Sequence, residues 1–96
     1  MLVRPVVVRP WVEADILAAM FSSRALLGKV LFDLQDDLPR NLTHYQANRL
    51  AKNPNCFWYT HTYSLDPRSF KLRKLHFVVR DSDPSVLEVI WVVVAA

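Results

Sequence analysis

CFWYTHTYSL (residues 56–65), FKLRKLHFVVR (70–80) and VLEVIWVVV (86–94) are three aromatic and β-branched runs separated by the turn-forming segments DPRS (66–69) and DSDPS (81–85). Runs of this composition bounded by Pro, Asp and Ser clusters read as strands. Connections this short join neighbouring antiparallel strands, so the C-terminal part of the chain reads as a meander. Alternation puts Phe57, Tyr59, His61, Tyr63 and Leu65 on one face of the first run, with Trp58, Thr60 and Thr62 on the other. In the second run the apolar phase slips. Phe70 and Leu72 lie on even positions, Leu75, Phe77 and Val79 on odd ones, and a β-bulge near Arg73 and Lys74 would restore the face. The third run is almost continuously apolar, which predicts a strand buried on both faces.

Upstream of the meander the pattern is helical. Residues 3–9 read as a valine-rich first strand, and Pro5 restricts its start to an edge or an irregular segment. Val12, Ile16 and Met20 recur at a spacing of four and predict a helix over 11–22; Leu26, Leu27, Val30, Leu31 and Leu34 predict a second over 24–37, ended by Pro39. Gly28 interrupts it and suits a close helix contact. Thr43 and Gln46 stand in the spacing of a capping box, which predicts a surface helix over 43–52. The expected fold is α+β in the order β-α-α-α-β-β-β, an antiparallel sheet backed by helices, in a single domain spanning 1–96.

Composition narrows the chemistry. Of 96 residues, 52% are hydrophobic and 22% charged, which suits a packed core rather than disorder. The chain has 1 glycine, which argues against a glycine-rich phosphate loop. Cys56 is the only cysteine, so no intramolecular disulfide forms and a cytoplasmic location is expected. The apolar run at 89–96 is far shorter than the ~20 residues of a membrane span, and the arginines and prolines of the first ten residues do not suit a signal peptide. His44, His61 and His76 fit no zinc spacing, although His61 and His76 fall on adjacent strands, so neither a metal nor a cofactor is expected.

The net charge of +3 is unevenly placed. Residues 41–80 hold Arg49, Lys52, Arg68, Lys71, Arg73, Lys74 and Arg80 against Asp66. Arg68, Lys71, Arg73, Lys74 and Arg80 form a candidate binding strip for RNA or an acidic protein surface.

Several short words, in order, resemble GNAT (GCN5-related N-acetyltransferase) domains: Arg9-Pro10 followed by Glu13-Ala14-Asp15 and the apolar Ile16–Met20, then Asn53-Pro54-Asn55-Cys56-Phe57-Trp58, and finally Phe77–Arg80 with Leu87–Ala95 beyond the turn. The resemblance implies the N-terminal half of that fold, without its coenzyme A pyrophosphate loop. It implies Glu88 as a candidate general base, a role that needs a raised pKa; the other reading of Glu88 is a charge paired with Arg80 across the turn. An uncovered last strand with Ile90, Trp91, Val92 and Val94 at its edge implies a partner, either a second copy or another protein. The leading expectation is a small non-catalytic GNAT-like binding module, acting as an adaptor or stoichiometric inhibitor. An acetyltransferase half completed by a second chain is one alternative. The other is an mRNA-cleaving toxin of the RelE/ParE type, whose helices and basic meander the chain also resembles, with Lys71, Arg73, Lys74 and Arg80 placed around a scissile phosphate.

Overall fold

A computed structural model describes residues 4–66 and 71–95. The elements are β1 (Val6–Val8), α1 (Pro10–Ala19), α2 (Arg24–Arg40), α3 (Leu42–Gln46), β2 (Arg49–Leu50), β3 (Asn53–Asp66), β4 (Lys71–Arg80) and β5 (Leu87–Ala95). The fold is α+β, and the five strands form one sheet in the order β1-β5-β4-β3-β2.

The sheet is mixed rather than antiparallel. β3, β4 and β5 make the expected meander, but β1 pairs in parallel with β5, setting Val6 opposite Leu87 and Val8 opposite Val89. The reason is chain direction. The helices carry the chain from β1 to the far side of the sheet, and the meander walks back strand by strand. Two reversals return β5 to the direction of β3, which is also that of β1. Pro5 begins β1 without loss, since only its carbonyl is needed, and accepts from Leu87 N at 2.9 Å. The Arg4 guanidinium donates to the Val86 carbonyl at 2.8 Å and to that of Asp83, tying the β4–β5 turn to the N-terminal strand. The edge of β5 is therefore covered over Leu87–Val89, where the sequence predicts an open one.

Ser23 caps α2 by accepting from Leu26 N at 3.3 Å, and Phe21 and Ser22 link the first two helices with φ of 54° and 58°. α1 ends there, three residues sooner than expected. α2 instead runs past Pro39 to Arg40, where Asn41 N closes the end on the Asp37 carbonyl at 3.0 Å. α3 is five residues long rather than ten, because the chain turns at 47–48 and gives Arg49–Leu50 to the sheet edge. The expected capping box is absent there: Asn41 is the cap position, without a side-chain bond, and Gln46 instead donates to Asp81 at 2.9 Å. Gly28 meets no close helix, since a Cβ there would have nothing within 4 Å.

The core lies on one face of the sheet. Val12, Ile16 and Met20 of α1 and its end, with Leu27, Val30, Leu34 and Leu38 of α2, pack on Phe57, Tyr59, Tyr63, Leu75, Phe77, Val79, Leu87, Val89 and Val92. The odd-numbered residues of β3 and β4 thus point to the helices, as their alternation predicts. The phase slip has a different resolution. β3 and β4 pair without interruption from Cys56–Arg80 to Ser64–Leu72, leaving Leu72 on the bare face and 60% exposed. The register shifts sit instead between Ser64 and Asp66, and in β5, where Ile90 is the extra residue between Val89 and Trp91. β5 is buried on one face only: Leu87, Val89 and Val92 are inside, while Trp91 is 56% exposed.

Candidate functional site

Among the described residues no helix crosses the second face of the sheet, and α3 only borders it at the β3 edge. The pairing places its side chains in rows that run across β3, β4 and β5. Trp58, Val78 and Trp91 form one row; Thr60, His76 and Val93 form the next; Thr62, Lys74 and Ala95 follow. On the other side of the tryptophans lie Cys56, Arg80 and Glu88. Neighbouring strands are ~4.8 Å apart, so the two indoles stand roughly 10 Å apart with Val78 between them. Val78 is only 8% exposed although no helix covers it, so the flanking residues of this face shield it.

Arg80 meets Glu88 through two donors, Nη2 at 2.9 Å and Nε at 3.3 Å, and Arg9 donates to the same carboxylate. Arg80, and secondarily Arg9, hold the Glu88 carboxyl below the usual carboxylate range against a smaller effect of burial. A general base needs the opposite shift, and the pairing seen is that of Glu88 with Arg80 across the turn. Burial raises the neighbouring Cys56 thiol, which keeps it protonated and unreactive near neutral pH.

At the edge of this face an open groove of about 650 Å³ is lined by His44, Tyr45, Asn48, Trp58, Thr60, His76 and Val93. His76 Nδ1 and Thr60 Oγ1 are 2.9 Å apart, and the Trp58 ring stands edge-on to the imidazole with centroids at 6.3 Å. Those two contacts set the imidazole plane. The α3 wall is held from below. Asp37 Oδ2 accepts from Tyr45 Oη at 2.6 Å and Tyr59 Oη at 2.8 Å, and Asp37 Oδ1 accepts from Asn41 at 2.8 Å. Burial alone would raise Asp37, but these three donors outweigh it and hold the carboxyl low. Burial and then Asp37 push Tyr45 up to about 12. On the other side of α3, Asp81 accepts from Arg49 at 2.8 Å as well as from Gln46, which overcomes its burial and lowers it too.

Asp37, Asp81 and Glu88 all have folded-state pKa values below their unfolded ones. Their stabilisation is complete above the unfolded carboxylate range and is lost as pH falls through the depressed folded values. The melting temperature is therefore expected to hold steady from neutral pH to about pH 5 and to fall below about pH 4. The Asp37→Asn, Asp81→Asn double variant, lacking two of these carboxylates, should show a flatter decline in calorimetric scans. An equally steep one would place the acid sensitivity elsewhere.

The structure separates the predicted basic strip. Lys74 and Arg80 share the bare face; Arg73 is on the helix side, its guanidinium 5.4 Å from the exposed Phe21 ring. Lys71 pairs through its backbone with Asp66, and Arg68 lies outside the described residues. Of the residues expected at an interface, Trp91 is on the bare face and Val94 is 41% exposed, Ile90 is half-buried at the bulge, and Val92 belongs to the core. His61 and His76 do not meet: His61 pairs with Leu75 and lies on the helix side, stacked 4.7 Å from Tyr63. Among the described residues no three His, Cys, Asp or Glu side chains gather as a metal site, and no helix is long and apolar enough to cross a membrane. Sequence reading missed the grouping of His44, Trp58, Thr60 and His76. Alternation alone put Trp58 and Thr60 together, but only the helix positions reveal that their face is the open one.

Comparison with protein-family models, with curated proteins and with solved structures finds no match.

Proposed function

We propose that the chain binds single-stranded RNA across the bare sheet face and cleaves it. One observation carries the reading: an uncovered face that combines two indoles, two cationic positions and an imidazole held by a hydroxyl. Indole faces stack on bases of any sequence, at ~1–3 kcal/mol per base. Lys74 on one side of the aromatic row and the Arg80–Arg9 group on the other suit a phosphate backbone running along β4. His76 stands between Lys74 and the tryptophans. In the tautomer whose Nδ1–H donates to Thr60, the Nε2 lone pair is left to accept a proton.

The reaction needs no co-substrate beyond the RNA. His76 takes the proton of a ribose 2′-hydroxyl, the 2′-oxygen forms a bond to the adjacent phosphorus, and the bond from phosphorus to the 5′-oxygen breaks. The departing 5′-oxygen takes up a proton in turn, so the products are a 2′,3′-cyclic phosphate and a 5′-hydroxyl. Lys74 steadies the extra negative charge that develops on the phosphoryl oxygens. DNA lacks the 2′-hydroxyl and cannot follow this route.

Support for the half-acetyltransferase reading is weaker, since β1 occupies part of the β5 edge at which a further strand would continue the sheet. A protein-binding role keeps one specific support: Trp91, Val93 and Val94 are 56%, 42% and 41% exposed on the part of β5 beyond β1. One set of measurements separates the readings. Fluorescent single-stranded RNA should be cut to cyclic-phosphate ends and its DNA counterpart left whole. Affinity for the DNA or for a 2′-O-methyl RNA should fall steeply with salt, and Lys74→Glu should weaken it several-fold with no change in melting temperature. Uncut RNA together with salt-independent binding would sink the proposal in favour of a protein partner.

A further inference from the structure

The geometry points to His44 as the second proton carrier of the groove, the group that protonates the departing 5′-oxygen, and to the Asp37–Tyr45–Tyr59 cluster as the device that positions it. The inference rests on the RNA-cleavage reading and deepens it.

Transesterification moves two protons. One leaves the 2′-hydroxyl; the other must reach the 5′-oxygen, which would otherwise depart as an alkoxide. His76 can serve only the first in that protonation state. The remaining polar groups that line the groove are few. Tyr45 donates its hydroxyl proton to Asp37, 2.6 Å away, so that proton is committed to the carboxylate below the groove. Thr60 is engaged with His76. Asn48 and the Trp58 indole are not acids in this range. His44, exposed at the groove wall formed by α3, is the lining side chain with suitable chemistry. It also stands on a different element from His76, and acid and base must act on opposite sides of the reacting phosphorus, at the entering and the leaving oxygen.

A five-residue helix does not hold itself in place, because helices this short are unstable alone. α3 is instead fixed by the residues directly after His44. The Tyr45 hydroxyl is bonded to Asp37, its ring packs edge-on against Tyr59 at 4.6 Å, and Gln46 is bonded to Asp81 at 2.9 Å. The Tyr45 edge also rests against the His44 imidazole, with centroids 5.2 Å apart. Asp37 thereby acts on His44 through Tyr45. It is a positioning residue, while His44 itself faces the substrate.

Leaving-group chemistry tests the assignment. His44→Ala is expected to slow cleavage of ordinary RNA by about 10²–10³. An RNA with sulfur in place of the scissile 5′-oxygen departs as a thiolate and needs no proton. On that substrate His44→Ala should come within a few-fold of the unaltered chain, whereas His76→Ala should remain slow. Tyr45→Phe, which loses the bond to Asp37 but keeps the ring, should show a smaller loss with the same recovery on the sulfur substrate. The two histidine variants should bind 2′-O-methyl RNA and melt as the unaltered chain does, whereas Tyr45→Phe should melt lower because it gives up a bond to a carboxylate. Undiminished cleavage of ordinary RNA by His44→Ala would overturn the assignment while leaving the cleavage reading intact. An equal loss on both substrates would overturn the acid role. An unaltered chain that cuts neither substrate would remove the cleavage reading, and this assignment with it.

Discussion

Cleavage of single-stranded RNA by the His76→Ala variant should be about 10²–10⁴-fold slower than by the unaltered chain, the usual contribution of a positioned proton-transfer group. The loss belongs in the chemical step. His76 lies in the row beside Trp58, Val78 and Trp91, so stacking and phosphate contacts survive its removal. The affinity for 2′-O-methyl RNA is expected to change by no more than a few-fold. Thr60→Val provides the finer test. It keeps the shape of the site but removes the hydroxyl that lies 2.9 Å from Nδ1, so the imidazole loses the hydrogen bond that orients it. Its rate should fall by less than that of His76→Ala. Single-turnover kinetics separate the two effects from binding. If His76→Ala weakens binding as much as it slows cleavage, the imidazole is a contact and not a proton acceptor.

The Phe77→Ala variant should lose about 3–5 kcal/mol of stability, the cost of emptying a large aromatic site in a packed core. Phe77 has no exposed surface, stands on the central strand β4, and packs 6.0 Å from Tyr59. Domains of this size have a total stability of roughly 5–15 kcal/mol, so this loss is a large share of it. Leu72→Ala is the control on the same strand. Leu72 is 60% exposed on the opposite face, and its truncation should cost no more than about 0.5 kcal/mol. Urea unfolding gives both numbers, with an unchanged slope expected for the control. Equal losses at the two positions would mean that the bare face is covered in solution, as a protein partner or second copy would cover it.

Much of the site was readable in pieces. Period-two alternation placed Trp58, Thr60 and Thr62 together, because successive side chains of a strand must point to opposite faces. The same rule put Lys74 and Arg80 on one face. It could not say whether that face was covered, since the apolar β5 suggested burial on both sides. His44 was hidden for a different reason. It lies in a polar segment whose capping-box spacing predicted an ordinary surface helix, and what places it is a set of contacts to Asp37, Tyr59 and Asp81, far away in sequence.

By itself the sequence determined the α+β class, the two core helices and the three-stranded meander, since these follow from local periodicity and turn chemistry. It also determined which residues of β3 and most of β4 enter the core. Tertiary structure alone decided that β1 lies parallel to β5, that the bulge falls at Ile90, and that all three helices leave one sheet face bare. Each of these depends on the path of the chain between elements and on pairing across some eighty residues, and no local pattern encodes it. The proposed chemistry depends on that last outcome: the same Trp58, His76 and Lys74 beneath a layer of helices would be unable to reach a substrate.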